Sequence, residues 1–103
     1  MTGSAEPAAG AARATIFVRG RVQGVGFRWW VRSQALELGL AGHAANLYDG
    51  RVEVVAQGSG SAVSELISRL EEFPSSRHRP GQVRAVVVQY AAPLPGVTGF
   101  SER

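Results

Sequence analysis

The sequence predicts an α+β fold in which two helices cover one face of an antiparallel sheet, a two-layer sandwich. Three observations lead to this prediction. Segments typical of strands and helices follow one another in the order βαββαβ along the chain. Each helical segment is apolar on one side only, so each needs a single sheet face to pack against. The 103 residues, 45% of them hydrophobic, suffice for one core and therefore for one domain.

The first part of the predicted fold is a strand, a glycine-rich loop and a helix. Residues 14–20 carry β-branched and aromatic side chains and predict a strand that ends at the segment GRVQGVGFR. The helix should begin close to Gly26 and end at Gly39, a residue type common just beyond a helix C-terminus. Its apolar stripe consists of Phe27, Trp30, Val31, Ala35 and Leu38.

A β-hairpin is predicted next. Strands over 43–48 and 51–57 meet across Asp49-Gly50, a dipeptide that suits a two-residue turn. With that turn, Asn46 pairs with Glu53, and one set of side chains lies on the uncovered face of the sheet: Asn46, Tyr48, Arg51 and Glu53. The other set faces the helices: Ala45, Leu47, Val52, Val54 and Ala56.

The last part of the predicted fold is a second helix and one or two strands. The helix follows the capping serines Ser59 and Ser61, has apolar residues at helical spacing and stops at Pro74. Residues 83–90 predict the fourth strand, and a short fifth strand can form around Phe100.

The domain is expected to span residues 14–103, preceded by a disordered leader over residues 1–13. The leader is rich in alanine and glycine and is typical of neither a secretion signal nor a membrane anchor. No apolar run approaches the roughly 20 residues that span a bilayer. We therefore expect a cytoplasmic protein that does not bind membranes.

The composition excludes several kinds of chemistry. The chain has no cysteine, which removes thiol nucleophiles and thiolate metal sites. All 11 basic residues are arginines, so there is no lysine for a Walker-type phosphate loop or a Schiff base. Two histidines are too few for a three-histidine zinc site, and we expect no metal. The net charge of +3 weakly favours an anionic partner.

The glycine-rich loop before the first helix is a candidate phosphate cradle. Such a loop can turn successive backbone N–H groups toward one anion at the helix N-terminus. Its alternative is a plain tight turn with glycines at positive φ. Arg28 favours the cradle, because a cation in the first turn of a helix is unfavourable unless an anion binds there. The alternatives for Arg28 are a side chain extended into solvent or an ion pair with Glu37 or Glu53.

Other polar and aromatic residues are weaker candidates. On the uncovered face, the Asn46 carboxamide could offer a donor and an acceptor to water or to an anion, or be ordinary hairpin surface. Trp30 is assigned to the core, and Trp29 either flanks the site or lies on the surface. His43 is assigned to packing or surface rather than to a catalytic base. The cluster 77–79, Arg-His-Arg, is interpreted as a solvated basic patch that could steer anions.

Two motifs, GRVQGVGFR and NLYDGRVEV, make the sequence resemble the acylphosphatase family over about residues 14–90. The resemblance implies a ferredoxin-like βαββαβ fold and hydrolysis of acyl phosphates to a carboxylate and inorganic phosphate, without metal or cofactor. It implies that Arg28 binds the phosphoryl group and that Asn46 orients the attacking water. The substrate-binding loop would consist of Gln23, Gly24, Val25, Gly26 and Phe27.

The sequence departs from the family pattern in three places. Residues 43–45 are smaller than usual before the asparagine, and residues 73–82 lack the usual glycine-proline pattern. Glu102 stands near a position where the last strand usually has an apolar residue, so this strand is expected to be short or frayed.

The residue inventory agrees with acyl phosphate hydrolysis. An acyl phosphate is a mixed anhydride whose carboxylate leaving group needs little protonation, so a general acid is dispensable. The protein must position water in line and stabilise charge on the phosphoryl oxygens. We expect Arg28 and Asn46 to share one cavity large enough for inorganic phosphate.

Two alternatives remain open. One is a noncatalytic module that binds anions or RNA on its sheet. Only Tyr48 is a clearly placed aromatic residue on the open face, and no sequence motif typical of RNA-binding domains is present. Nucleic acid is therefore not the expected partner. The other is a stand-alone relative of the acylphosphatase-like domains found in larger carbamoyl-transfer proteins. We expect a monomer.

Overall fold

The structure is a computed structural model and describes residues 10–103. Two helices and five strands follow in the order β1 (Ala11–Arg21), α1 (Phe27–Glu37), β2 (Ala41–Asn46), β3 (Val52–Ser59), α2 (Gly60–Glu71), β4 (Gln82–Ala91) and β5 (Phe100–Glu102). The predicted βαββαβ order is confirmed. The predicted fifth strand is present as well; it is short, with three residues, and it is paired.

The five strands form one mixed sheet in the order β4-β1-β3-β2-β5. β1 pairs antiparallel with β3 and β4, and β2 pairs antiparallel with β3. β5 instead runs parallel to β2, so the sheet is not antiparallel throughout. Its pairing continues beyond the strand, because the Arg103 N–H donates to the Ala44 carbonyl at 2.8 Å. The chain after β4 therefore crosses to the opposite edge of the sheet.

The first strand begins earlier than the sequence predicts. Ala11 pairs with Ser59 and Arg13 pairs with Gln57, so residues 11–13 belong to β1 and not to a leader. Alanine has a weak intrinsic preference for strands, and pairing with β3 overrides it. Of the rest of the predicted leader, Gly10 precedes the strand and residues 1–9 lie outside the described residues.

The core lies between the sheet and the two helices. Alternate residues of β1 face it, as the period of a strand requires. These residues meet the apolar stripes of both helices in one cluster that includes Ile16, Val18, Phe27, Val31, Val63, Leu66 and Leu70. Trp30 is 4% exposed and Trp29 is 61% exposed, which confirms the assignment of Trp30 to the core.

The ends of α2 are satisfied by side chains. The Ala62 N–H donates to Ser59 Oγ at 3.2 Å, which confirms one of the two predicted caps. At the other end, Arg79 Nη1 donates to the carbonyls of Arg69, Leu70 and Glu72 at 2.9, 3.0 and 2.8 Å. The interpretation of residues 77–79 as a solvated patch is therefore wrong for Arg79, which caps the helix C-terminus.

Candidate active site

The turn between β2 and β3 contains three residues and not two. The Leu47 N–H donates to the Arg51 carbonyl at 2.9 Å, and the residues between them form the turn. Asp49 Oδ1 accepts from the Arg51 N–H at 3.1 Å, and Gly50 has a φ of 92°. A three-residue turn of this kind needs its last residue in the left-handed region, which glycine enters without strain.

The extra turn residue shifts the hairpin register by one position. Asn46 pairs with Val52 and not with Glu53. A shift of one residue moves every side chain of a strand to the other face. Asn46 therefore shares the helix side of the sheet with the buried residues Ala44, Val52 and Val54, and its predicted place on the uncovered face is wrong. Asn46 itself is exposed, because it is the last residue of β2.

The loop that leads into α1 has the geometry expected of an anion cradle. Gly24 and Gly26 have φ values of 72° and 84°, and Gly26 is the N-cap of α1. No side chain caps this helix, and no acidic residue lies in its first turn. The first N–H that bonds within the helix is that of Trp30, which donates to the Gly26 carbonyl at 3.0 Å. The N–H groups before it lack helical acceptors and are available to a ligand.

The cradle encloses a small cavity of about 60 Å³. Its lining combines the glycines of the loop with the first turn of α1 and the last strand: Val22, Gly24, Gly26, Phe27, Arg28, Trp29 and Glu102. A water molecule takes up about 30 Å³ in the liquid, so the cavity has room for a group larger than one water. Of the five residues in the predicted substrate-binding loop, three line it.

Arg28 reaches from the first turn of α1 to the end of the chain. Its Nη1 donates to the Arg103 carbonyl. One turn further along the helix, Arg32 Nε donates to the Phe100 carbonyl at 3.0 Å. Two arginines of α1 therefore attach the last strand to the helix, a role that the sequence does not indicate. The alternative ion pairs of Arg28 with Glu37 or Glu53 do not form, because Glu37 contacts Arg69 and Arg77 instead.

Gln23 joins the cradle to the hairpin. Its Nε2 donates to the Leu47 carbonyl at 2.8 Å and to the Arg51 carbonyl at 2.9 Å, the two residues that close the turn. The predicted binding residue Gln23 thus uses its side chain to hold the loop in place. Asn46 lies beside it in a second depression of about 430 Å³, lined by Gln23, Asn46, Leu47 and Tyr48.

Arg28 and Asn46 line two neighbouring depressions. Arg28 lines the cradle and Asn46 lines the neighbouring depression. Val22 and Gly24 line the cradle and Gln23 lines the depression, so the two adjoin along the segment 22–24. That Arg28 and Asn46 share one cavity stays a prediction. The Gln23 side chain holds this segment against the hairpin, and Arg28 donates to the Arg103 carbonyl.

Glu102 is an acidic residue that sequence reasoning did not place at the site. It lines the cradle together with Arg28. The only indication in the sequence was the missing apolar residue near this position. Its carboxylate opposes the binding of an anion, so the guanidinium of Arg28 has to outweigh it.

His43 does not line the cradle. It lies on the uncovered sheet face, with Nε2 3.6 Å from Glu53 Oε1. Burial lowers the pKa of His43 below its usual value, Arg103 and Arg13 lower it further, and Glu53 acts in the opposite direction. Within residues 10–103, no group of three or more His, Asp or Glu side chains could hold a metal ion. No helix in this range is long and apolar enough to cross a membrane.

The fold and the cradle together define a small α/β sandwich with a small cavity at the uncapped start of its first helix. Comparison with known proteins makes this class specific. The family model described as acylphosphatase matches residues 14–101. The acylphosphatase of Corynebacterium efficiens is 60% identical over 91 residues, which cover 88% of this chain and 91% of that protein. The chain belongs to the acylphosphatase family.

Solved structures agree with this assignment. The crystal structure of acylphosphatase from Bacillus subtilis superposes with a TM-score of 0.76 at 33% identity, covering 89% of this chain and 98% of that one. The HypF protein of T. kodakarensis matches with a TM-score of 0.67 and 28% identity, but over only 12% of its length. The chain is thus similar in extent to the stand-alone proteins.

Proposed function

We propose that this chain hydrolyses the carboxyl-phosphate bond of acyl phosphates, with Arg28 binding the phosphoryl group and Asn46 orienting the attacking water. Acylphosphatase activity is supported by the family and by relatives of that name that are 52–60% identical. The observation that supports the roles of the residues is the uncapped N-terminus of α1, with Arg28 beside it in the cradle.

The cradle supplies two kinds of donors to a phosphoryl group. Backbone N–H groups of the first turn of α1 are free of side-chain caps. Arg28 uses one donor on the Arg103 carbonyl, and a guanidinium has five. The remaining donors can bind two phosphoryl oxygens at once, because the guanidinium matches the geometry of phosphate. These donors would stabilise the charge that builds up on the equatorial oxygens in the transition state.

Asn46 is suited to hold the water. No hydrogen bond engages its side chain within the described part of the chain, so both its carbonyl oxygen and its amide group are available. Attack on phosphorus is in line, so a water on the side of Asn46 requires the acyl group to leave on the opposite side. The acyl group would therefore extend from the cradle away from Asn46, with the phosphoryl group in the cradle and the attacking water between it and Asn46.

The chemistry does not require an acid in the site. A carboxylate is a stable leaving group and departs with little help from a proton donor. The residues that line the two depressions include neither histidine nor cysteine. The proton of the attacking water could pass to the phosphoryl oxygens of the substrate.

The RNA-binding alternative is less well supported. It requires exposed aromatic residues on the open sheet face, on which bases can stack. Tyr48 belongs to the turn and not to that face. Phe17 lies on the face, but the Arg51 guanidinium covers its ring at 4.8 Å from the centroid. The physiological partners are accordingly a small acyl phosphate and inorganic phosphate.

The experiment that tests the proposal is hydrolysis of benzoyl phosphate in EDTA by the wild type and by Asn46→Ala. We expect a large fall in kcat, with inhibition by inorganic phosphate nearly unchanged, because phosphate binds the cradle and not Asn46. Gln89→Ala is the matched control, since it removes a carboxamide from the opposite face of the sheet. An equal loss of turnover and of phosphate affinity in Asn46→Ala would contradict the role in orienting water.

We further propose that the enzyme acts as a monomer in the cytoplasm. The monomer is supported by a site built from elements of a single chain: the loop before α1, the end of β2 and β5. Sedimentation at micromolar concentration with activity proportional to protein concentration is the expected result. The cytoplasmic location stays a prediction from the sequence.

A further inference from the structure

Another polar cavity lies on the uncovered face of the sheet, away from the helices. It has a volume of about 390 Å³, within the usual size of small-molecule sites. Its floor is a row of paired residues across three strands, Val55 of β3, His43 of β2 and Ser101 of β5. Arg13 and Arg103 line it as well, together with the 96–98 segment.

The wall of this cavity is held in place. Gln57 Nε2 donates to the Leu94 carbonyl at 2.7 Å, and Gln57 Oε1 accepts from the Leu94 N–H at 3.0 Å. The same oxygen accepts from Arg13 Nη1 at 3.1 Å. One residue thus attaches the segment after β4 to the sheet and orients Arg13. Because the residues around the cavity are already held in place, little conformational entropy is lost when a ligand binds.

The charge of the cavity favours an anion. Arg13 on β1 and Arg103 beyond β5 flank His43, and within residues 10–103 the acidic group that acts on His43 is Glu53 on β3. The positive charges of both guanidiniums disfavour the imidazolium, and each lowers the pKa of His43. Arg13 uses one of its five donors on Gln57, and no hydrogen bond or ion pair engages the Arg103 side chain among residues 10–103. The hydroxyls of Thr98 and Ser101 add neutral donors.

We propose that this cavity is a second oxyanion site, which binds a small phosphate-class anion between Arg13 and Arg103 over His43. It lies on the other face of the sheet from the cradle and does not depend on the catalytic proposal. The link between the two is Arg103, whose side chain lines this cavity while its carbonyl accepts from Arg28.

The two histidines of the chain allow a direct test. The ring protons of His43 and His78 are followed by NMR in the wild-type protein, in which Arg28 still holds the end of the chain. Inorganic phosphate is titrated against chloride at the same ionic strength. An anion near His43 should raise its pKa by about one unit, because a nearby negative charge favours the imidazolium. His78, which does not line the cavity, should shift little.

Three variants show where the anion binds. Arg13→Gln and Arg103→Gln should each weaken phosphate binding about tenfold, as expected for a lost charge-assisted contact. Arg84→Gln on β4 removes the same charge elsewhere and should leave the affinity unchanged. Within residues 10–103 the Arg103 side chain makes no hydrogen bond or ion pair, so its replacement keeps the test valid even if Arg13→Gln disturbs the fold.

The proposal is overturned if His43 and His78 respond alike, if chloride has the same effect, or if Arg84→Gln weakens binding as much as the cavity variants do. Failure of the catalytic proposal is a different result. It would appear as unchanged hydrolysis in Arg28→Ala, whatever happens at His43.

Discussion

Arg28 and Arg32 provide a matched pair that separates phosphate binding from structural support. They lie one turn apart on α1, and each donates to a carbonyl at the end of the chain, Arg28 to Arg103 and Arg32 to Phe100. Only Arg28 lines the cradle. Alanine at either position removes one tether of the last strand, whereas alanine at position 28 also removes the guanidinium from the phosphoryl group.

The expected magnitudes follow from these contacts. A hydrogen bond to a charged group contributes about 1.5–3 kcal/mol, and both tethers are of this kind, so both variants should lose a similar amount of stability, toward the lower end. A bidentate contact with the phosphoryl group adds two such bonds, or about 3–6 kcal/mol in the transition state. Arg28→Ala should therefore lower kcat/KM by roughly two to four orders of magnitude, and Arg32→Ala by less than about tenfold.

The assay combines benzoyl phosphate hydrolysis with urea unfolding of the same samples. Equal losses of activity in the two variants would mean that Arg28 acts only by attaching the last strand. Activity of Arg28→Ala within about tenfold of the wild type would refute its role in binding phosphate.

Three further predictions concern residues around the site and on the open face. Gln23→Ala loses hydrogen bonds of 2.8 and 2.9 Å, so it should lower the free energy of unfolding in urea by about 1–3 kcal/mol and reduce kcat. The control Gln89→Ala should change the free energy of unfolding by less than about 0.5 kcal/mol. Equal effects of the two variants would contradict the role of Gln23 in joining the loop to the hairpin. Glu102→Gln removes a carboxylate from the cradle. Two like charges in water repel by roughly 1 kcal/mol, so inorganic phosphate should inhibit the variant about fivefold more strongly than the wild type. Weaker inhibition of the variant would contradict this prediction. The folded chain lowers the pKa of His43 below 6.5 because of burial, so its contribution to stability is complete above pH 6.5 and is lost as the pH falls through the folded value. The loss of unfolding free energy on acidification should therefore be smaller in His43→Gln than in the wild type. An unchanged pH dependence of the unfolding free energy would refute the lowered pKa of His43.

Local patterns in the sequence predict most of the fold. The apolar stripes of both helices, the glycine before α1 and Ser59 before α2 act over one or two turns of chain, so composition and spacing reveal them. The same holds for the cradle, because positive φ at Gly24 and Gly26 depends on residue type.

Contacts between distant segments were not predictable in this way. The hairpin register depended on whether the turn had two or three residues, and Asp49-Gly50 is compatible with both. One residue of difference placed Asn46 on the other face of the sheet. Arg79, assigned to a solvated patch, became the cap of α2 only because the chain folds back after Pro74.

The amino-acid sequence by itself determined the elements, their order, the family motifs and the two residues at the centre of the proposed chemistry, because each depends on neighbours along the chain. Tertiary structure alone decided that β5 runs parallel beside β2, that Gln23 closes on the hairpin and that Arg28 meets the carbonyl of Arg103. These contacts join residues 24 to 75 positions apart, and their geometry is set by the packing of the whole sheet against the helices.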